Sequence, residues 1–143
     1  MLVDSHCHLD MLNLARHDGS LDAALAAARA RGVKHFLCVS VELDKFDLLR
    51  GIAEAHDDVS FSVGVHPCHT DAGEPALDDL LALAAHPKVV AIGETGLDYF
   101  HDASTREQQQ RMFSTHIEVA RRTIAKYRES LNIPSSSDRK RLL

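Results

Sequence analysis

Four apolar runs of strand length alternate with four runs of helical pattern along this 143-residue chain, and few folds accept that order. Residues 2–5, 35–41, 59–65 and 89–92 read as strands. Helices are expected between and after them. In 21–30, Leu21 and Leu25 stand four apart in an Ala-rich run, and Gly32 follows where a left-handed cap is expected. In 44–56, Phe46, Leu49 and Ala53 mark one face. In 75–85 a proline occupies the first turn. Ser104-Thr105-Arg106-Glu107 reads as a capping box opening the fourth helix. Phe113, Ile117, Ala120, Ile124, Tyr127 and Leu131 then step by 4, 3, 4, 3 and 4, one apolar stripe that carries this helix to 131, before Pro134. Residues 13–20 read as a loop. Strands that alternate with helices pair in parallel through crossovers, and continuous apolar runs mean both sheet faces are covered. The fold class is α/β.

The composition, 45% hydrophobic and 26% charged, is enough for one core. A net charge of −5 argues against a broad basic face for duplex DNA, although bound cations can supply positive charge locally. The three cysteines, Cys7, Cys38 and Cys68, match no zinc-finger or redox spacing and read as reduced thiols of a cytoplasmic protein. No signal-peptide pattern opens the chain, and no run approaches the roughly 18 apolar residues of a membrane span.

The chemistry gathers where strands end. Val3-Asp4-Ser5-His6-Cys7-His8-Leu9-Asp10 places two histidines at i and i+2, so on an extended chain both rings share a face and Cys7 points away. Two neutral imidazoles on one face can hold a divalent metal. Asp4 and Asp10 are candidates to orient the rings, and Asp10 is equally a turn cap. Glu94 follows the apolar VVAIG run inside a GETG turn, where a carboxylate is costly unless paired or bound to a cation. His66, in Gly64-Val65-His66-Pro67, follows the third strand and is a candidate substrate contact or a loop histidine. Asp98 and Tyr99 are candidates to line a substrate groove, with a structural role for the ring equally open. Cys68 and His69 read as loop residues, and Arg106, Arg111, Arg121 and Arg122 as a solvated helix face. In parallel barrels the strand ends that carry polar side chains form the active site.

VDSHCHLD, FSVGVHP, VVAIGETGLDYF and REQQQRMFSTHIEVARR, in that order over residues 1–123, resemble the TatD family of metal-dependent deoxyribonucleases. The resemblance implies a TIM-like (β/α) barrel of the amidohydrolase superfamily. It implies a hydrolase that cleaves DNA phosphodiester bonds, often as a 3′-to-5′ exonuclease on single-stranded ends. By motif, His6 and His8 correspond to one metal's ligands and Glu94 to the carboxylate shared between metals, which makes Glu94 the catalytic candidate as well. The cofactors implied are one or two divalent ions, magnesium, manganese or zinc. Glu94 stands where amide- and lactone-cleaving relatives carry a modified lysine, which favours the nuclease branch.

The resemblance stops near Thr123. The family's further histidines and late aspartate have no counterpart, since no histidine follows His116. A full barrel needs about 250 residues, so four βα units of eight are expected, as residues 1–131, followed by a polar basic tail, 132–143, expected to be disordered. The ending reads as frameshifted, recombined or truncated. Weak or absent nuclease activity is the expectation for such a chain, with a non-catalytic remnant, an interaction module or an amide- or lactone-cleaving hydrolase as alternatives. Half a barrel has two open sheet edges and an uncovered inner face, so a homodimer through that exposed half-barrel face or a poorly stable monomer is expected.

Overall fold

The computed structural model describes residues 2–71 and 73–130. Four strands, β1 (Leu2–Cys7), β2 (Val33–Cys38), β3 (Val59–Val63) and β4 (Val89–Ile92), form one sheet in the order β1-β2-β3-β4. Every pairing is parallel, as the alternation requires. Helices α1 (Leu21–Ala30), α2 (Phe46–Ala55) and α3 (Leu77–Ala84) make the crossovers, and α4 (Arg106–Ser130) follows β4. Sequential strand order without reversal is the winding of a barrel rather than of a doubly wound sheet.

All four helices pack on one side of the sheet. Leu25, Phe46, Leu49, Ala53, Leu80, Ala84 and Val119 share one core cluster with Phe36, Cys38, Val59, Phe61, Val63 and Val89. Each fully buried large side chain contributes on the order of 1.5–3 kcal/mol. Arg29 on α1 clamps Asp58 before β3 through two hydrogen bonds of 2.8 and 2.7 Å.

Several boundaries differ from those expected. β2 begins two residues earlier and ends at Cys38, while Val39, Ser40 and Val41 follow it as buried chain outside the strand. β3 ends at Val63. α2 begins at Phe46 behind a single 3-10 turn, and Pro75 precedes α3 instead of sitting in its first turn. The 13–20 loop holds a 3-10 turn, Leu14–His17, capped by Asn13. Gly32 has the expected left-handed backbone, with φ of 97°.

Burial also departs from expectation. Only β3 is buried along its whole length. β1 is an edge strand, with Leu2 and Val3 more than half exposed, because nothing among the described residues pairs with its outer side. The stripe expected on α4 is misplaced. Gln109, Met112, His116 and Val119 face the core, while Ile117 and Ile124 are exposed. The apolar stripe lies to one side: Ala120 and Ile124 line a groove with Val90, Ala91 and Ile92 along open β4. Two polar residues occupy the core face because each has backbone partners there, which a count of apolar residues does not register. Leu131, the side chain of Tyr127 and the 132–143 tail lie outside the described residues.

Candidate metal centre

His6 lies near the end of β1 and His8 just beyond it, and their ring centroids stand 5.2 Å apart on one face. Cys7 points away, its thiol donating to the Leu37 carbonyl at 3.3 Å. Burial pushes that thiol up to about 12, so Cys7 is an inert proton holder. His8 is oriented by β2: its Nδ1 lies 2.9 Å from the Val39 carbonyl oxygen. A carbonyl only accepts, so Nδ1 carries the proton and Nε2 keeps its lone pair free. The orienting role expected of Asp4 or Asp10 therefore belongs, for His8, to a backbone carbonyl. Asp4 instead accepts the His6 backbone N–H at 3.3 Å, and Asp10 Oδ1 is enclosed without a partner among the described residues.

Glu94 completes the group. Its Oε1 is 3.7 Å from His6 Nε2 and its Oε2 is 3.7 Å from His8 Nε2. Those separations are too long for hydrogen bonds. They match two ligands of one cation, each held at about 2.0–2.2 Å. Two imidazole nitrogens and a carboxylate within 4.8 Å of one another fit a divalent metal. Glu94 and His8 are each about one-third exposed and His6 is 55% exposed, so water and substrate reach the group from solvent.

Two serines hold this rim together, and the motif reading missed both. Ser62 Oγ accepts the Ser40 N–H at 2.9 Å and donates to the Gly93 carbonyl. Ser40 accepts the Glu94 N–H on its carbonyl at 3.0 Å, and its hydroxyl bonds the carbonyls of Glu42 and Gly64. The ends of β2, β3 and β4 are thus tied at the residue that carries the carboxylate. Gly64 lets the backbones meet: a Cβ there would lie 3.0–3.1 Å from Gly93. The Gly93–Glu94 peptide is cis. Serine inside otherwise apolar strand ends (CVSV, FSVG) was the available signal.

The other candidates lie outside this trio. His66 Nδ1 accepts the Cys68 N–H at 3.1 Å, which leaves its Nε2 with the proton. His69 turns to Glu42 at 3.2 Å. Tyr99 carries the Arg106 guanidinium over its ring at 4.0 Å and accepts a hydrogen bond from Gln110 at 3.0 Å. Arg106 is thus a stacking partner rather than only a solvated charge. Asp98 meets His101 Nδ1 at 2.7 Å, and its carboxyl is held down to about 2, chiefly by hydrogen bonds from the His101 backbone and ring.

Helix α4 braces these loops. Buried Gln109 accepts the Asp98 N–H and donates to the carbonyls of Asp98 and Asp102. Buried His116 accepts the Val65 N–H at 3.1 Å and donates Nδ1–H to Met112 at 2.7 Å. The expected capping box is not formed by Ser104, whose hydroxyl donates to Asp102 instead.

Fold and site together define a parallel α/β protein of barrel winding with a His–His–Glu group at its strand ends whose spacing fits a divalent cation. The family model described as TatD related DNase matches residues 3–126, and the chain belongs to that family. It is 44% identical over 121 residues to the uncharacterized metal-dependent hydrolase YcfH of Escherichia coli K12, covering 84% of this chain and 45% of that protein. It is 35% identical over 100 residues to the 3′-5′ ssDNA/RNA exonuclease TatD of Salmonella typhimurium, covering 69% of this chain and 38% of that one. Among solved structures, the TatD homolog YJJV of E. coli K12 superposes with a TM-score of 0.70 at 28% identity, over 84% of this chain and 46% of that one. The chain therefore spans about half the length of these relatives, and its four strands correspond to part of a TIM-like barrel.

Proposed function

We propose that His6, His8 and Glu94 hold a divalent cation, magnesium, manganese or zinc, and serve phosphodiester hydrolysis on single-stranded DNA from a 3′ end. The carrying observation is the convergence of the His6 and His8 Nε2 atoms on the two oxygens of one carboxylate. A Salmonella relative named as a 3′-5′ exonuclease supports the substrate class.

A bound divalent ion would supply charge neutralisation for phosphate oxygens and an acidified water. The chain's own residues do the rest. His8 stays in one tautomer because Val39 holds its Nδ1 proton. The Nε2 proton of His66 is available to a phosphate oxygen. Asp98 and Tyr99 line the substrate side, Asp98 by shaping its turn and Tyr99 by offering its ring edge and hydroxyl. With three donors, cation binding is weak and turnover by the 143-residue chain is low. The two open sheet edges favour self-association, with β1 of one copy beside β4 of another. Three free cysteines are consistent with a reducing cytoplasm. Among the described residues no helix is long and apolar enough to cross a membrane.

Calorimetric titration with manganese tests the metal reading. Specific binding is expected in the wild-type chain and its loss in Glu94→Gln, and identical isotherms for both overturn it. A 5′-labelled single strand tests the substrate. Slow metal-dependent shortening, lost in Glu94→Gln, is expected, and turnover untouched by that change overturns the assignment.

A further inference from the structure

A second group of ligand-type side chains converges among the described residues. Cys68, Asp98 and His101 bring donor atoms within 4.8 Å of one another. Cys68 comes from the loop after β3, and Asp98 and His101 from the loop after β4. A local turn accounts for the last two: Asp98 Oδ1 accepts the N–H groups of Phe100 and His101, and Oδ2 meets the His101 ring. That turn does not account for the thiol, which lies within 4.8 Å of the same carboxylate and comes from another strand's loop. The Cys68 backbone is fixed independently, by its hydrogen bond to His66. Asp102 adds a second negative charge nearby.

We propose that Cys68, Asp98 and His101 form a second cation site, selective for a zinc-class divalent ion and distinct from the His–His–Glu group. Thiolate and imidazole favour borderline-soft metals over magnesium, and the carboxylate completes a mixed three-donor set. Zinc bonds of about 2.0–2.3 Å place tetrahedral donors roughly 3.3–3.8 Å apart, so the thiol closes by at most about 1.5 Å while the Asp98–His101 pair, now hydrogen-bonded at 2.7 Å, opens by about 0.6 Å or more. His101 is exposed and Cys68 lies in a loop, so the closure moves no core element. As the metal binds, the thiol proton leaves to solvent, the His101 Nδ1–H hydrogen bond to Asp98 gives way with the ring carrying its proton on Nε2 instead, and the fourth position stays open to water. Two-loop sites of this kind stiffen the loops they join, here those that carry His66 and Tyr99.

Cobalt(II) added to the chelator-treated full chain is the direct test. A thiolate-to-cobalt charge-transfer band in the near ultraviolet is expected, retained in Glu94→Gln and lost in Cys68→Ser. His101→Ala should weaken binding by more than about tenfold, since losing even a supporting partner of a ligand costs that much. On the unmutated chain, zinc should slow alkylation of Cys68, mapped by mass spectrometry, while the same concentration of magnesium should not. A folded wild-type chain without the band overturns the proposal, as does a band that survives Cys68→Ser, or zinc that leaves Cys68 labelling unchanged. Loss of the band in Glu94→Gln also overturns it, by placing the ion at the other group, and that outcome leaves the hydrolytic reading intact.

Discussion

The rim of the sheet and the buried face of α4 both use histidine, and they ask opposite things of it. At the rim, His8 gives one proton to a backbone carbonyl and keeps one lone pair unused. On α4, His116 has neither nitrogen to spare, since one donates to Met112 and the other accepts from Val65. His116 is 1% exposed, whereas His6 is more than half exposed. A ring with a spare nitrogen facing water can take a cation, and a ring with both nitrogens engaged is a bracket. The number of unengaged lone pairs, rather than residue type, separates site from scaffold here.

Breaking the bracket should have the largest effect. His116→Ala leaves the Val65 N–H buried without a partner and opens a cavity beside Met112 and Val119. A loss of about 3 kcal/mol is expected by urea denaturation. Burial also holds the His116 ring below its ordinary value of 6.5. Below that pH the unfolded chain gains a proton that the folded chain still refuses. Stability should therefore fall as pH drops through 6.5 and level off once the folded ring also titrates. His116→Gln should flatten that slope, and an unchanged slope would show that the ring is not the group responsible.

Gly64→Ala probes the rim and should cost less in stability but more in binding. The new Cβ would press on Gly93 at 3.0–3.1 Å, the residue before Glu94. Overpacking of this kind costs about 1–3 kcal/mol. Cation affinity at the His–His–Glu group should fall by roughly tenfold, the size of a lost supporting contact. Gly51→Ala is the matched control, because Gly51 lies within α2 and a Cβ added there would meet nothing within 4 Å. Alanine there should add about 0.5–1 kcal/mol through helix propensity and leave metal titrations unmoved. Equal binding losses in the two variants would separate Gly64 from the site.

These contrasts also explain what can be seen from the residues alone. The four strands and the trio of His6, His8 and Glu94 are legible because period-2 geometry and strand-end placement are local properties. The true burial of β1 is not, since an edge depends on what lies beside it. The α4 face is hidden from a hydrophobic pattern because Gln109 and His116 are polar, and their burial rests on loop backbone contributed by Val65, Asp98 and Asp102. Cys68 reads as a plain loop residue because its partners, Asp98 and His101, lie some thirty positions away, across a helix and a strand. Long-range pairings of single side chains leave no period behind.

The least consequential change should be Glu118→Gln, on the solvent side of the same helix. Glu118 accepts hydrogen bonds from Arg121 and Arg122, at 2.9 and 2.6 Å, and they hold its carboxyl down to about 2. Any stability from this group is present above its ordinary value of 4.5 and is lost as pH falls towards 2. Its size is small, because both guanidinium groups stand largely in water and i,i+3 and i,i+4 pairs are screened by salt. The urea midpoint of Glu118→Gln at neutral pH and physiological salt should match the wild type within error. A shift as large as that of His116→Ala would mean that exposed charge, and not the buried bracket, holds α4 against the sheet.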